Sequence, residues 1–148
     1  MGDDTLVVRS HFQVQTDLNA LNEILQWFEK QTSTYLSEEL LYQCKIALTE
    51  GFTNVVRHAH RTLLPTTPID LEVTIFSDYI EIRIWDLGQP FDLEQTLQCV
   101  RHLHTDPLAH EGSRGLLFMQ KLTDELIYTR TNDDRNCLLM RKQIDSSH

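Results

Sequence analysis

The 148-residue sequence predicts an α+β domain built as a two-layer α/β sandwich, a mixed, mostly antiparallel sheet with its helices on one face. Three observations carry that expectation. Ile69, Leu71, Val73 and Ile75 alternate with Asp70, Glu72 and Thr74, and after Ser77-Asp78 the residues Ile80, Ile82 and Ile84 alternate with Glu81 and Arg83. Each strand of this hairpin therefore buries one face and wets the other. The continuous apolar runs of a parallel sheet, covered by helices on both sides, do not occur. Finally, a long amphipathic segment from Ser37 to about His60 presents Leu41, Cys44, Leu48, Phe52, Val55 and Ala59 at steps of three and four, which supplies the second layer.

The remaining elements follow in order. Thr5 to Val14 reads as a first strand with imperfect alternation, and Asp17 is placed to cap a helix carrying Leu18, Leu21, Leu25 and Phe28. Leu63-Leu64-Pro65 and Pro68 end the long helix. From Leu87 to about His110 the pattern weakens, apart from a short helical stretch near Leu93 to Leu103. A connection of roughly twenty residues with so little core is more often functional or mobile than structural. A helix is expected from about Gly115 to Leu122. Strands Glu125 to Thr131 and Asn136 to Gln143 then close the fold around Asn132-Asp133-Asp134-Arg135, and Ser146-Ser147-His148 should fray. A chain of this length, without repeats or low-complexity tracts, is expected to form one domain over residues 1–148.

Composition narrows the partners. A net charge of −9 opposes a phosphate backbone as ligand and favours a protein partner with a basic face. Cys44, Cys99 and Cys137 are odd in number and form no Cys-x-x-Cys pair, so a reducing compartment is expected rather than a disulfide framework. No stretch has the length and apolarity to span a bilayer, and MGDDTLVVRS lacks the basic-then-apolar pattern of a secretory leader. A cytoplasmic protein without direct nucleic-acid or membrane contact is expected.

Three short motifs carry candidate chemistry. In the long helix, Glu50, Asn54 and Arg57/His58 recur every three or four residues and share a face. A carboxamide oxygen there suits Mg²⁺, and a carboxylate can orient or deprotonate a hydroxyl; a solvated helix face accounts for the same pattern. After the second hairpin strand comes Asp86-Leu87-Gly88-Gln89-Pro90, either a plain turn or a carboxylate accepting from the exocyclic amine of adenine beside a glycine that admits the base. Then Gly112-Ser113-Arg114-Gly115-Leu116-Leu117 leads into a helix, where freed N–H groups and the helix dipole favour phosphate, although an ordinary helix start also explains it. His102, His104 and His110 lack a fourth ligand at convincing spacing and read as loop histidines rather than a metal site. Trp27 and Trp85 read as core or interface, and Cys44 as a small buried hydrophobe.

In this order the three motifs resemble those of the GHKL ATPase superfamily, whose Bergerat fold serves gyrase, MutL and histidine-kinase catalytic domains. Among its branches the chain looks most like the bacterial anti-sigma-factor serine/threonine kinases. ALTEGFTNVVRHAH (Ala47 to His60) is similar to their N box, IEIRIWDLGQPFD (Ile80 to Asp92) to their first glycine box, and EGSRGLLFMQKLTDEL (Glu111 to Leu126) to their second. The resemblance implies a Bergerat fold with an ATP lid over about residues 87–111. Glu50 would be the catalytic base or water-orienting carboxylate and Asn54 the Mg²⁺ ligand. Asp86 would bind adenine, with Gly88 and Pro90 beside it. Gly112, Ser113, Arg114, Gly115 and Leu116 would form the phosphate side, with Arg57 and His58 near the phosphates. Ser113 stands where the family usually has glycine, and Asp134-Arg135-Asn136-Cys137 replaces a Gly-x-Thr before the last strand.

The implied activity is Mg-ATP-dependent phosphorylation of a partner serine or threonine. The implied partners are a STAS-domain anti-anti-sigma protein, a sigma factor or other regulatory protein, and a second copy in a homodimer. The alternative is a non-catalytic module that uses ATP or ADP to choose between protein partners. A third reading, a detached histidine-kinase catalytic domain, requires a phosphoacceptor helix bundle elsewhere. Walker Gly-x-x-x-x-Gly-Lys, His-Arg-Asp and Asp-Phe-Gly do not occur, which sets aside P-loop and eukaryotic-type kinase chemistry.

Overall fold

The computed structural model describes residues 5–93, 95, 97 and 111–144, the side chains of 111–114 excepted. Most of the expected lid, with Cys99, His102, His104 and His110, lies outside the described residues, as does the expected frayed end. The elements run β1 (Leu6–Gln15), a 3₁₀ turn (Leu18–Ala20), α1 (Leu21–Thr32), α2 (Glu38–Asn54), a π turn (Val55–Ala59), β2 (Pro68–Phe76), β3 (Tyr79–Asp86), α3 (Glu111–Leu122), β4 (Glu125–Arg130) and β5 (Asn136–Gln143).

Local chemistry sets most of these boundaries. Ser37 accepts a hydrogen bond from the Leu40 amide and opens α2, with Glu38 and Glu39 in its first turn, where the helix dipole favours negative charge. Asp17 accepts from the Asn19 amide, but it caps the 3₁₀ turn, and α1 begins only at Leu21. The long helix also departs from expectation: α-helical bonding stops at Asn54 and gives way to the π turn before His60. At the other end, α3 is already helical at Glu111, before the start expected near Gly115. Gly112 and Gly115 weigh against helix by propensity, and burial of Leu116 and Met119 outweighs them.

The five strands lie in the order β1-β2-β3-β5-β4. Every pairing is antiparallel, so the antiparallel character is complete among the described strands rather than predominant. Register places Val73 opposite Ile82 and Leu71 opposite Ile84, and Ile82 opposite Met140. This apolar face meets Ile24 and Phe28 of α1, Cys44, Leu48 and Phe52 of α2, and Met119 of α3 in one core. The two-layer arrangement read from the hairpin is the one observed. Where α2 meets the sheet, a Cβ on Gly51 would lie 2.6 Å from Ile84 Cδ1 and 3.4 Å from Met119 Sδ, so a glycine sets how deeply the helix sinks. Cys44 is buried, and burial pushes its thiol up to about 12, in keeping with an inert hydrophobe.

The second face of the sheet is roofed by arginines. Arg83 lies 3.1 Å from Glu81, Arg141 pairs with Glu81 and Glu125, and Arg135 lies 3.2 Å from Asp70 with its guanidinium over Trp85. Trp85 thus sits beneath a cation on this face. Trp27 stacks on Phe12 and donates to Ser10. Glu81 is only 4% exposed, so its charge depends on these partners. Arg141→Ala should therefore destabilise the fold by about 1–3 kcal/mol in urea unfolding, whereas a decorative surface pair would cost less than about 0.5 kcal/mol.

Candidate functional site

Glu50 and Asn54 stand one turn apart near the end of α2, both half-buried. The start of α3 rests directly on them. A Cβ on Gly115 would lie 2.8 Å from Glu50 Oε2, 3.5 Å from Asn54 Oδ1 and 3.6 Å from Asn54 Nδ2. Residues 112–114, expected as a loop, have helical backbone in the first turn of α3. The first four N–H groups of a helix have no acceptor within it and carry the positive end of its dipole. A carboxylate, a carboxamide and a helix N-terminus therefore converge, the last being suited to an anion.

A second cluster forms where β3 ends. Asp86 is 6% exposed, and its Oδ1 accepts hydrogen bonds from the Gly88 amide at 2.8 Å and from Asn136 Nδ2 at 2.9 Å. Among the described residues both bonds fall on Oδ1, which leaves Oδ2 for a donor from outside. Asn136 also donates to the Gly88 carbonyl at 2.8 Å, and Arg130 donates to Asn136 Oδ1 at 3.1 Å and to the Gly88 carbonyl at 3.3 Å. Asn136 stands in the stretch that replaces the Gly-x-Thr of the resemblance, and its amide anchors the aspartate. Tyr128 lies near enough that burial and then the Asp86 charge push its hydroxyl up to about 12.

The π turn brings the end of the helix to this second cluster. Its widened turn is closed by the His60 amide donating to the Val55 carbonyl at 2.8 Å, the i→i+5 pattern that often marks functional sites. A Cβ on Gly88 would lie 2.4 Å from the Ala59 carbonyl oxygen, so the turn after Asp86 lies directly on the helix end. His60, 1% exposed, fills the space beside it. Its Nε2 accepts from the Leu87 amide at 2.8 Å, and its Nδ1 lies 2.8 Å from Thr16 Oγ1. The single Thr16 hydroxyl proton goes to the Thr67 carbonyl at 2.7 Å, so Nδ1 must be the donor. His60 is thereby fixed as the neutral Nδ1–H tautomer, and burial lowers its pKa below the usual 6.5 against an opposing pull from Asp86.

Of the residues singled out by sequence, Glu50, Asn54 and Gly115 meet at one place, and Asp86 and Gly88 at another. Asn54 and Ala59 are five residues apart, about 7.5 Å along a helix axis, so the two places are neighbours at the end of one helix. Arg57 and His58 are exposed on the π turn, which interrupts the spacing that put them on the Glu50 face. Leu116 is a core side chain, which leaves only its backbone for a ligand. Pro90 lines a separate open cleft of about 600 Å³ with Phe91, Asp92, Leu93, Leu126, Ile127 and Tyr128; Glu50, Asn54, Asp86 and Gly88 are not in its lining. Sequence reasoning missed His60, Arg130 and Asn136. His60 read as the last residue of a helix, and Asn136 as a departure from a pattern. Among the described residues no group of three or more His, Cys, Asp or Glu is placed to hold a metal.

The chain matches the histidine kinase-like ATPase domain over residues 14–142. It belongs to that family. Within the histidine kinase-like ATPases it is 33% identical over 93 residues to the serine-protein kinase RsbW of Oceanobacillus iheyensis, a match covering 61% of this chain and 58% of that protein. It is 32% identical over 102 residues to the RsbW of Staphylococcus aureus, covering 67% and 62% respectively. The chain thus spans less than two thirds of the length of these relatives. The crystal structure of the RsbU and RsbW domains of Rv1364c from Mycobacterium tuberculosis shares the fold, with a TM-score of 0.66 at 12% identity over 93% of this chain and 33% of that one. For this member of the histidine kinase-like ATPases, the contact between Gly88 and the helix end gives a direct expectation. Gly88→Ala sets a methyl against a backbone carbonyl that cannot turn aside, and should cost about 1–3 kcal/mol of stability. Gly115→Ala, which meets only side-chain ends, should be milder in urea unfolding.

Proposed function

We propose that the chain is an ATP-dependent protein serine/threonine kinase of the anti-sigma-factor type, working in a partner-switching system. The observation that carries this reading is the meeting of Glu50, Asn54 and the α3 N-terminus across Gly115. A carboxylate, a carboxamide oxygen and a helix end side by side support the roles of general base, hard oxygen donor and anion site. Asp86 Oδ2 at the second cluster is the acceptor for the exocyclic amine of adenine, with Gly88 beside the base. The similarity to serine-protein kinases supports the choice of a hydroxyl acceptor.

Magnesium fits this donor set: the Asn54 amide oxygen would hold it, and when bound it supplies neutralisation of phosphate charge. The protein's own part is positioning. Glu50 holds the partner's serine or threonine hydroxyl in line with the γ-phosphorus and takes its proton. The new bond joins the hydroxyl oxygen to phosphorus, the bridging oxygen of the β–γ link departs with ADP, and Glu50 returns the proton to solvent. The first-turn amides of α3 stabilise the oxygens on which charge develops.

The partners follow from the resemblance: a STAS-domain anti-anti-sigma protein as phosphoacceptor, a sigma factor or other regulatory protein as competitor, and a homodimer as the working form. Net charge of −9 fits protein partners in the cytoplasm rather than nucleic acid. No helix among the described residues is long and apolar enough to cross a membrane.

The test is transfer from labelled Mg-ATP to a captured STAS partner. Glu50→Gln should keep ATP affinity within about threefold and lose phosphoserine formation by roughly 10²-fold or more. Equal transfer by both proteins would overturn the role of Glu50, and none by either with nucleotide bound would leave a nucleotide-dependent binding module. Acid-labile phosphohistidine would instead indicate a detached histidine-kinase domain.

A further inference from the structure

His60 is buried between three segments that sequence separates widely, and it is not among the side chains assigned a part in the proposed transfer. Thr16 follows β1, Thr67 precedes β2, and Leu87 follows β3. One hydrogen-bonded line joins them, from the Thr67 carbonyl through the Thr16 hydroxyl and the two ring nitrogens of His60 to the Leu87 amide. Leu87 lies between Asp86 and Gly88, so whatever holds its amide also sets the turn that aims Asp86. The far side of that turn is held by Asn136 and Arg130. His60 is the near-side counterpart.

We propose that neutral His60 is a positioning residue for the base-binding turn, and that a proton on Nε2 releases the turn and weakens nucleotide binding. The chemistry is one of donors and acceptors. Leu87 offers only an N–H, so Nε2 must accept; once protonated, Nε2 presents a second hydrogen to that N–H and the bond cannot form. Nδ1 cannot compensate by reversing its role, because the Thr16 proton is committed to a carbonyl. The charged group acting on the ring is Asp86, whose carboxylate favours the protonated form, while burial disfavours it and prevails. The folded protein therefore keeps His60 neutral at pH values where the unfolded chain protonates it. Stability linked to this residue is full above about pH 6.5 and falls as pH drops through the lower folded pKa.

The inference rests on the nucleotide reading above, and its test separates the two. Mg-ADP affinity would be measured by calorimetry from pH 7.5 down through the His60 titration seen by NMR for the native protein, His60→Gln and His60→Leu, with urea unfolding to establish that each is folded at every pH. Nitrogen NMR of the nucleotide-free native protein would report the His60 tautomer and the Leu87 amide. Glutamine offers an acceptor and a donor that do not titrate. His60→Gln should therefore bind within a few-fold of native at pH 7.5 and lack the extra acid weakening, which in the native protein should reach roughly 3- to 10-fold once pH has fallen well below the lowered His60 pKa. The same comparison subtracts the titration of the nucleotide, of exposed His58 and of His11 beside Asp70. His60→Leu should bind roughly 3- to 10-fold more weakly at every pH. A protonated Nδ1 and a Leu87 amide that shifts with His60 titration support the proposal. Identical pH profiles for native and His60→Gln, or full affinity in folded His60→Leu, overturn it alone. Absence of ADP binding by the native protein at pH 7.5 removes the function proposed above, and this inference with it.

Discussion

Two glycines allow two separate segments to touch the last turns of one helix. At Gly115 the start of α3 comes within a methyl's width of Glu50 and Asn54, and at Gly88 the turn after β3 meets the Ala59 carbonyl. Dense packing elsewhere makes such contacts hard to shift. Gly51 adds a third approach, letting α2 sink against Ile84 and Met119. The polar end of α2 is thereby fixed in depth by the core and flanked by two backbones. The arrangement of the candidate site follows from that constraint, because neither the carboxylate-amide pair nor the buried aspartate is placed by its own element alone.

The π turn is the link between the two contacts. Had α-helical bonding continued past Asn54, the chain would have kept a regular periodicity; instead the Val55 carbonyl closes on the His60 amide. The altered turn ends with Ala59 under Gly88 and His60 under Leu87. Energetically this is a trade of regular helix bonding for tertiary contact, of the kind that clusters at functional sites. The opposite face of the sheet balances the architecture differently. Among the described residues no helix covers its polar side chains, which pair among themselves, with Arg83, Arg135 and Arg141 spread over Glu81, Asp70 and two aromatic rings.

The hairpin of β2 and β3 was legible in the sequence because period-two alternation is a strong signal when one face is buried. The Ser37 cap and the apolar stripe of α2 were legible for the same reason at the helical period. Glu50, Asn54, Asp86 and Gly115 were legible as residue types in order, and the resemblance gave that order a meaning. Other features left no local signal. A π turn is fixed by which contact closes it, and Val55 to His60 fit an α-helix as well by composition. The start of α3 was read late because glycine propensity is local while the burial that overrides it is tertiary. His60 and Asn136 owe their roles to partners 27 and 50 residues away, a separation no window of sequence spans.

The central claim is that the Glu50-Asn54 face and the Asp86 turn form one nucleotide site. The most direct measurement is calorimetric titration of Mg-ATP into the folded, unmodified protein, repeated with Mg-GTP. The account predicts saturable one-to-one binding of the adenine nucleotide with much weaker heat from guanine, whose ring carries a carbonyl where Asp86 requires an amine. No binding of either nucleotide, or equal binding of both, would contradict it.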